Sequence, residues 1–133
     1  MPKKSVHLHN PPTIAPPTGY SHVAEVRGGK LVFIAGQVAK DATGAIVGKG
    51  DYRVQADQVF RNVGLALESA GATFADLAKV TIYLLDASHL PEVREARDRY
   101  IDREHPPIST AVQVSGLAAP EFLLEIDAVA AVK

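Results

Sequence analysis

A carboxylate, a hydroxyl and two guanidinium groups are the side chains of this 133-residue sequence best suited to act on a small molecule. Glu125 and Asp127 stand two apart near the carboxyl end. Glu125 can hold a water or accept a proton as a general base, provided burial raises its pKa toward neutrality. The alternative is a structural carboxylate, paired across a subunit contact. Asp127 can play either part, and the structural part suits it better. Ser109 can donate to or accept from a small ligand, or be only a small residue on a strand. No Ser-His-Asp relay accompanies it, so a nucleophilic role is not indicated. Arg94 and Arg97 lie three apart and share one side of a helix. They can reach a pocket, or form a solvated face with Glu92, Glu95 or Asp98. His7 and His9 lack a third ligand, so metal binding is not indicated there.

Bulk properties narrow the function classes. The chain has the length of one domain, residues 1–133. Hydrophobic residues make up 47% and charged residues 22%, an ordinary globular mix. The net charge of -1 steers it toward neither nucleic acid nor an anionic membrane. With no cysteine there is no disulfide framework and no thiolate chemistry, which suits a cytoplasmic location. No apolar run approaches the roughly 20 residues that span a bilayer. The start, Met1-Pro2-Lys3-Lys4, is basic, but no apolar segment follows as in a secretory signal.

The elements follow from periodicity. Five of the nine prolines lie in residues 1–19, which predicts an extended arm rather than a helix. Residues 22–26 and 30–36 read as strands joined by a hairpin turn at Arg27-Gly28-Gly29. Leu31-Val32-Phe33-Ile34-Ala35 is apolar at every position, as in a strand covered on both faces. Asp51 caps a helix running to about residue 70, with Gly71 as its stop. Its apolar positions Ala56, Val59, Phe60, Val63 and Leu67 form one stripe. Residues 79–86 are a strand. Ser88 caps a second helix over 90–103, ended by Pro106-Pro107. Strands at 109–114 and 122–132 close the chain. The order β-β-α-β-α-β-β is an α+β fold, one mixed sheet with two helices on one face.

Alternation then assigns the sheet faces. Leu124, Ile126 and Ala128 suit the helices, as do Val80, Ile82 and Leu84. Thr110, Val112 and Val114 are assigned inward, which sends Ser109, Ala111 and Gln113 to the other face with Glu125 and Tyr83. That outer face is too apolar to stand bare. Burial by another subunit is the expectation, with polar residues lining a cleft. The alternative is that Glu125 and Asp127 keep an open face soluble.

Three blocks bear a family likeness. Phe33-Ile34-Ala35-Gly36-Gln37-Val38, Pro106-Pro107-Ile108-Ser109-Thr110-Ala111-Val112-Gln113-Val114 and Glu125-Ile126-Asp127-Ala128-Val129-Ala130 resemble those of the RidA (YjgF) family, in order and at matching spacing. The resemblance runs from Gly19 to Val132. It implies a chorismate-mutase-like fold and a homotrimer with a central barrel and pockets between subunits. It also implies hydrolysis of reactive imines and enamines to 2-keto acids and ammonia, without metal or organic cofactor. By the same resemblance Glu125 takes the place of a water-holding glutamate, and Gly36 and Gln37 that of a backbone turn at the substrate. Ser109 stands where the family has a carboxylate-binding arginine, and serine offers neither charge nor a fork of donors. Tyr20-Ser21-His22 falls where an aromatic residue enters the pocket, with His22 aligned to it. Arg94 and Arg97 replace residues that are often Asn and Tyr. The chain therefore resembles a divergent branch of the family.

Three functions compete at this level. One is a hydrolase of imines, enamines or related small molecules. The second is a trimer that binds a metabolite without turning it over. The third, ribonuclease or translation inhibitor, finds no basic stripe to support it.

Overall fold

A computed structural model describes residues 5–133, so the basic start at residues 1–4 lies outside the described chain. The first strand departs from the expected arm. β1 (Val6–His9) pairs antiparallel with β2 (Val23–Val26), from Val6 opposite Val26 to His9 opposite Val23. Val6-His7-Leu8-His9 falls between Pro2 and Pro11 and keeps every amide a ladder needs. The prolines at 11, 12, 16 and 17 occupy the connection that follows.

Arg27-Gly28-Gly29 turns the chain with φ of 69° and 83° at the two glycines. The strands it joins do not pair as a hairpin, however. β3 (Lys30–Gln37) pairs instead with β6 (Leu124–Val132), and the turn carries the chain from one sheet to another. A side chain at Gly29 would lie 2.5 Å from the Ser5 hydroxyl and 3.0 Å from the Val132 carbonyl carbon, so this close passage needs glycine.

α1 (Tyr52–Ser69) begins where expected. Asp51 accepts from the Val54 N–H at 3.2 Å, and Gly71 follows the helix at φ 75°. Its apolar stripe is buried, and so is one polar residue within the stripe. The amide of Gln55 donates to the Glu121 carbonyl at 2.8 Å and accepts from the Leu123 N–H at 2.9 Å. It thereby fixes the chain just before β6.

β4 (Leu77–Leu84) begins two residues earlier than expected. α2 (Leu90–Tyr100) is shorter than the predicted 90–103. Ile101 is already extended, and Asp102 accepts from the Glu104 N–H at 2.9 Å, a local turn that competes with the helix. Ser88 does not cap α2. Its N–H and hydroxyl both donate to Asp86, which caps a short 3-10 turn, Ala87–His89, leading into the helix.

The main sheet has the order β3-β6-β4-β5, where β5 is Ile108–Gln113. β6 runs antiparallel to both its neighbours, and β4 and β5 are parallel. The core lies between this sheet and the helices, with Val80, Ile82 and Leu84 of β4 and Leu124, Ile126 and Ala128 of β6 turned toward α1 and α2. The other face is partly covered at one end, where Val6 and Leu8 pack on Ala78 and Ala131. Elsewhere it is open within the chain. Phe33 is 74% exposed and Leu31 52%, while Ile34 on the helix side is buried. Among the described residues the apolar run in β3 is thus covered on one side only. No helix among the described residues is long and apolar enough to cross a membrane.

Candidate active site

Glu125 owes its setting to a bulge. β3 and β6 are in register from Lys30 to Ile34, which faces Ala128. The register then shifts, so that Gln37 faces Ile126 and two residues, Ala35 and Gly36, stand against one. The bulge brings the Gly36 backbone under the Glu125 side chain. A β-carbon on Gly36 would lie 2.7 Å from Cδ of Glu125 and 2.9 Å from Cγ. Gly36 is therefore a seat for the carboxylate. Gln37 steadies the bulge by donating to the Ala35 carbonyl at 3.1 Å.

Glu125 accepts no hydrogen bond from the described residues, and its carboxylate is only half-buried. Asp127 differs, because it accepts from the Tyr83 hydroxyl at 3.0 Å. That bond and the nearby charges of Asp127 and Glu125 hold the Tyr83 hydroxyl above its ordinary pKa. Of two carboxylates two residues apart, one is engaged within the chain and the other is available.

Ser109 lies elsewhere. In the parallel pair β4–β5 it stands beside Val80, and Ala111 stands beside Ile82. Side-by-side residues on neighbouring strands point to the same face. Ser109 therefore looks to the helix side, whereas Glu125, beside Tyr83, looks to the other. This corrects the phase assigned to β5 from its sequence. β5 is an edge strand, and its apolar Val112, 40% exposed, belongs to the open face. Its helix side is not core but the floor of a cleft.

That cleft holds about 270 Å³ and is lined by Thr18, Tyr20, Leu90, Arg94, Arg97 and Ser109, with Ile82 and Ala111 at its base. Tyr20 is brought there by Ser21, whose hydroxyl donates to the Pro106 carbonyl and whose N–H donates to that of Pro107 at 3.1 Å. Arg97 is held. Its Nε and Nη2 donate to Asp98 at 3.1 and 3.0 Å, and it presses on Gly19, where a β-carbon would lie 2.8 Å from Nη2. Arg94 is exposed and pairs with no carboxylate among the described residues. His22 lies outside the cleft lining. Its ring packs edge-on against Tyr20 at 5.4 Å, and Nε2 lies 2.7 Å from the Ala15 carbonyl.

The residues singled out from sequence thus form two groups. Gly36, Gln37 and Glu125 gather at the β3 end of the sheet. Ser109, Tyr20, Arg94 and Arg97 gather at the β5 edge. Three strand spacings, roughly 14 Å, separate the two edge strands. Beside Gly36 and Gln37 opens a larger groove of about 730 Å³, whose far wall is α1 with Gln58, Arg61 and Asn62. Asn62 donates to the carbonyls of Val38 and Lys40 at 3.0 and 2.9 Å and so fixes the chain leaving β3. Nothing in the helical pattern marks Arg61 and Asn62 as site residues, because only the exit path of β3 brings them there. Among the described residues no group of three or more His, Cys, Asp or Glu converges to hold a metal ion.

Comparison with known proteins bears on this arrangement. The endoribonuclease L-PSP family profile matches residues 11–132. A RutC family protein of Pyrococcus abyssi is 39% identical over 112 residues, 84% of each chain. The 2-iminobutanoate/2-iminopropanoate deaminase of Homo sapiens is 30% identical over 101 residues, 76% of this chain and 72% of that one. Among solved structures, a protein of the conserved Rid family from Yersinia pestis superposes with a TM-score of 0.86. It is 34% identical, with 96% of this chain and 99% of that one covered.

Proposed function

The chain belongs to the RidA/YjgF family, matched by the endoribonuclease L-PSP profile, and from that premise we propose that it is a small-molecule hydrolase of imines or enamines working between subunits of a homotrimer. The observation that carries the reading is the Glu125 carboxylate, seated across Gly36 with no donor among the described residues bound to it. Such a group can hold and activate a water. The similarity to the human deaminase supports the reaction class.

The trimer enters because the two groups of residues cannot meet within one chain. They lie at opposite ends of the sheet order β3-β6-β4-β5. A second copy that sets its β5 edge against the β3 end of the first joins them. Association also covers Leu31 and Phe33, whose exposure is costly in water. Three such contacts close the ring into a barrel with one cleft per contact.

In that cleft Arg94 holds the substrate carboxylate in place of an arginine at Ser109, and the Ser109 hydroxyl and Tyr20 complete the floor. Glu125 takes a proton from water as the water oxygen bonds to the imine carbon. It passes that proton to nitrogen, giving a carbinolamine. It then takes the carbinolamine's hydroxyl proton and delivers it to nitrogen as the carbon–oxygen double bond forms and the carbon–nitrogen bond breaks, so that a 2-keto acid and ammonia leave. The backbone of Gly36 and Gln37 orients the imine. The residues invoked need no metal or organic cofactor. The setting proposed is the cytoplasm, with neither membrane nor nucleic acid as partner.

The test is hydrolysis of 2-iminobutyrate or 2-iminopropanoate generated in solution. Purified protein is expected to speed it above buffer, and Glu125→Gln to lower kcat by roughly 100-fold or more. A rate equal to buffer, or a Glu125→Gln rate equal to wild type, removes the reading. A 14 kDa species in gel filtration removes the trimer. The second reading, a non-catalytic metabolite-binding trimer, is favoured by one observation, the uncharged Ser109 on the cleft floor. A ligand that raises Tm and is recovered unchanged supports it. Ribonuclease activity is weaker than either, because the net charge of -1 gives no overall attraction to a phosphate backbone.

A further inference from the structure

Arginines in this chain are mostly paired. Arg53 meets Glu95 at 3.1 Å, Arg97 meets Asp98 at 3.0 Å and Arg99 meets Asp57 at 3.1 Å. Arg27 and Arg103 lie 4.0 and 3.8 Å from Glu25 and Asp98. Two of the seven, Arg61 and Arg94, pair with no carboxylate among the described residues. Arg94 lines the cleft over Ser109, and Arg61 lies on the α1 wall of the separate groove that begins at Gly36. With 15 acidic residues to 14 Lys and Arg in the chain, partners are plentiful elsewhere.

Arg61 forms no ion pair among the described residues, although it stands one turn after Asp57 on α1 and its charge reaches the Tyr100 hydroxyl; Asp57 is itself engaged by Arg99 at 3.1 Å and by that hydroxyl at 2.9 Å. Asp41 is the acidic residue lining that groove, and it is turned into its own loop. There it accepts from the N–H and hydroxyl of Thr43 at 2.9 and 2.6 Å and from the Ala45 N–H at 3.2 Å. Lys40, which lines the groove on the chain leaving β3, lies over the Phe122 ring at 5.5 Å and adds a second positive charge.

Resting on the intersubunit cleft proposed above, we infer that its ligand carries two anionic groups, one held by Arg94 and the other by Arg61 of the partner subunit. The fitting class is the imine of an acidic amino acid, in which a side-chain carboxylate accompanies the one beside the imine carbon. A guanidinium fork matches a carboxylate oxygen pair. A ligand with a single carboxylate satisfies one fork and leaves the other facing water. The 730 Å³ groove beside Gly36 gives the second group room that the 270 Å³ cleft over Ser109 lacks.

The test compares binding of 2-oxoglutarate and 2-oxobutyrate to the full chain by calorimetry at low salt. 2-Oxoglutarate is expected to bind roughly 10- to 100-fold more tightly, the worth of one further charged contact. Arg61→Gln is expected to abolish that preference, and Arg61→Lys to restore part of it. Arg94→Gln is expected to weaken both ligands. Equal affinities, failure of both ligands to bind, or a preference that survives Arg61→Gln overturns the inference. The hydrolase reading fails separately. A protein that prefers the dicarboxylate yet hydrolyses no imine keeps this ligand class and loses the reaction. One that hydrolyses small neutral imines and shows no dicarboxylate preference does the reverse.

Discussion

Gly36→Ala separates the seat of Glu125 from the stability of the fold. The added β-carbon would stand 2.7 Å from Cδ and 2.9 Å from Cγ of Glu125, where ordinary contact is 3.4–4 Å. The side chain must therefore retreat by about 1 Å, through rotation of its own torsions, because the backbone on both sides is tied into β3 and β6. A displacement of about 1 Å in a catalytic group costs roughly 100-fold in rate. Stability should not follow. Gly36 is absent from the glycines with positive φ, so alanine fits its backbone, and loss of glycine freedom in the unfolded chain contributes about 0.4–1 kcal/mol in favour of folding. The expected result is a Tm equal to or above wild type with imine hydrolysis down by roughly 100-fold. Glu125→Gln serves as the reference for complete loss of the base. A Gly36→Ala protein that keeps its rate within about threefold shows that Glu125 does not act from this seat. A fall in rate accompanied by a large fall in Tm shows instead that the bulge itself has collapsed.

Two further perturbations address the frame around the site. Gln55→Ala strips the Glu121 carbonyl and the Leu123 N–H of their buried partner. It should lower unfolding free energy by about 3 kcal/mol, read as a shift in the denaturant midpoint at constant slope; a shift under about 1 kcal/mol contradicts the role given to this amide. Tyr83 carries a raised pKa in the folded chain, chiefly through its bond to Asp127. A raised value means stability that is full below the ordinary tyrosine pKa of about 10 and is lost as pH climbs through the folded value. Tyr83→Phe should therefore reduce, without abolishing, the alkaline fall in Tm, since Tyr52 and Tyr100 are also raised, mainly by burial. Superimposable Tm–pH curves for variant and wild type refute it.

Much of the frame was legible because periodicity had one reading. The α1 stripe, the Asp51 cap and the alternation of β6 each had a core on one side to enforce them. Legibility failed where that pressure was absent. β5 borders the sheet, and the space on its helix side is a cleft, so Val112 stands on the open face and the phase that hydrophobicity suggests is reversed. β1 was hidden by prolines that flank it but do not enter it. The end of α2 turned on Asp102, whose side chain offers the backbone an alternative to the helix. Within the candidate site, the family likeness singles out Glu125 and Gly36 separately, yet their contact arises from a register shift that no local pattern announces. Arg94 reaches the cleft over Ser109 only through the parallel pairing of β4 with β5 beneath α2.

The order β3-β6-β4-β5 leaves two unlike patches at opposite borders of one twisted surface. An assembly that sets one border of each copy against the opposite border of the next, edge to edge, is head-to-tail. Contacts of that kind either return to their starting point after a fixed number of steps or propagate as a filament. The sheet twist accumulated over four strands sets the rotation per step, and with it whether the chain of copies closes. In the proposed trimer, the same strands that present the carboxylate would therefore also carry the angular information that decides whether the assembly is finite.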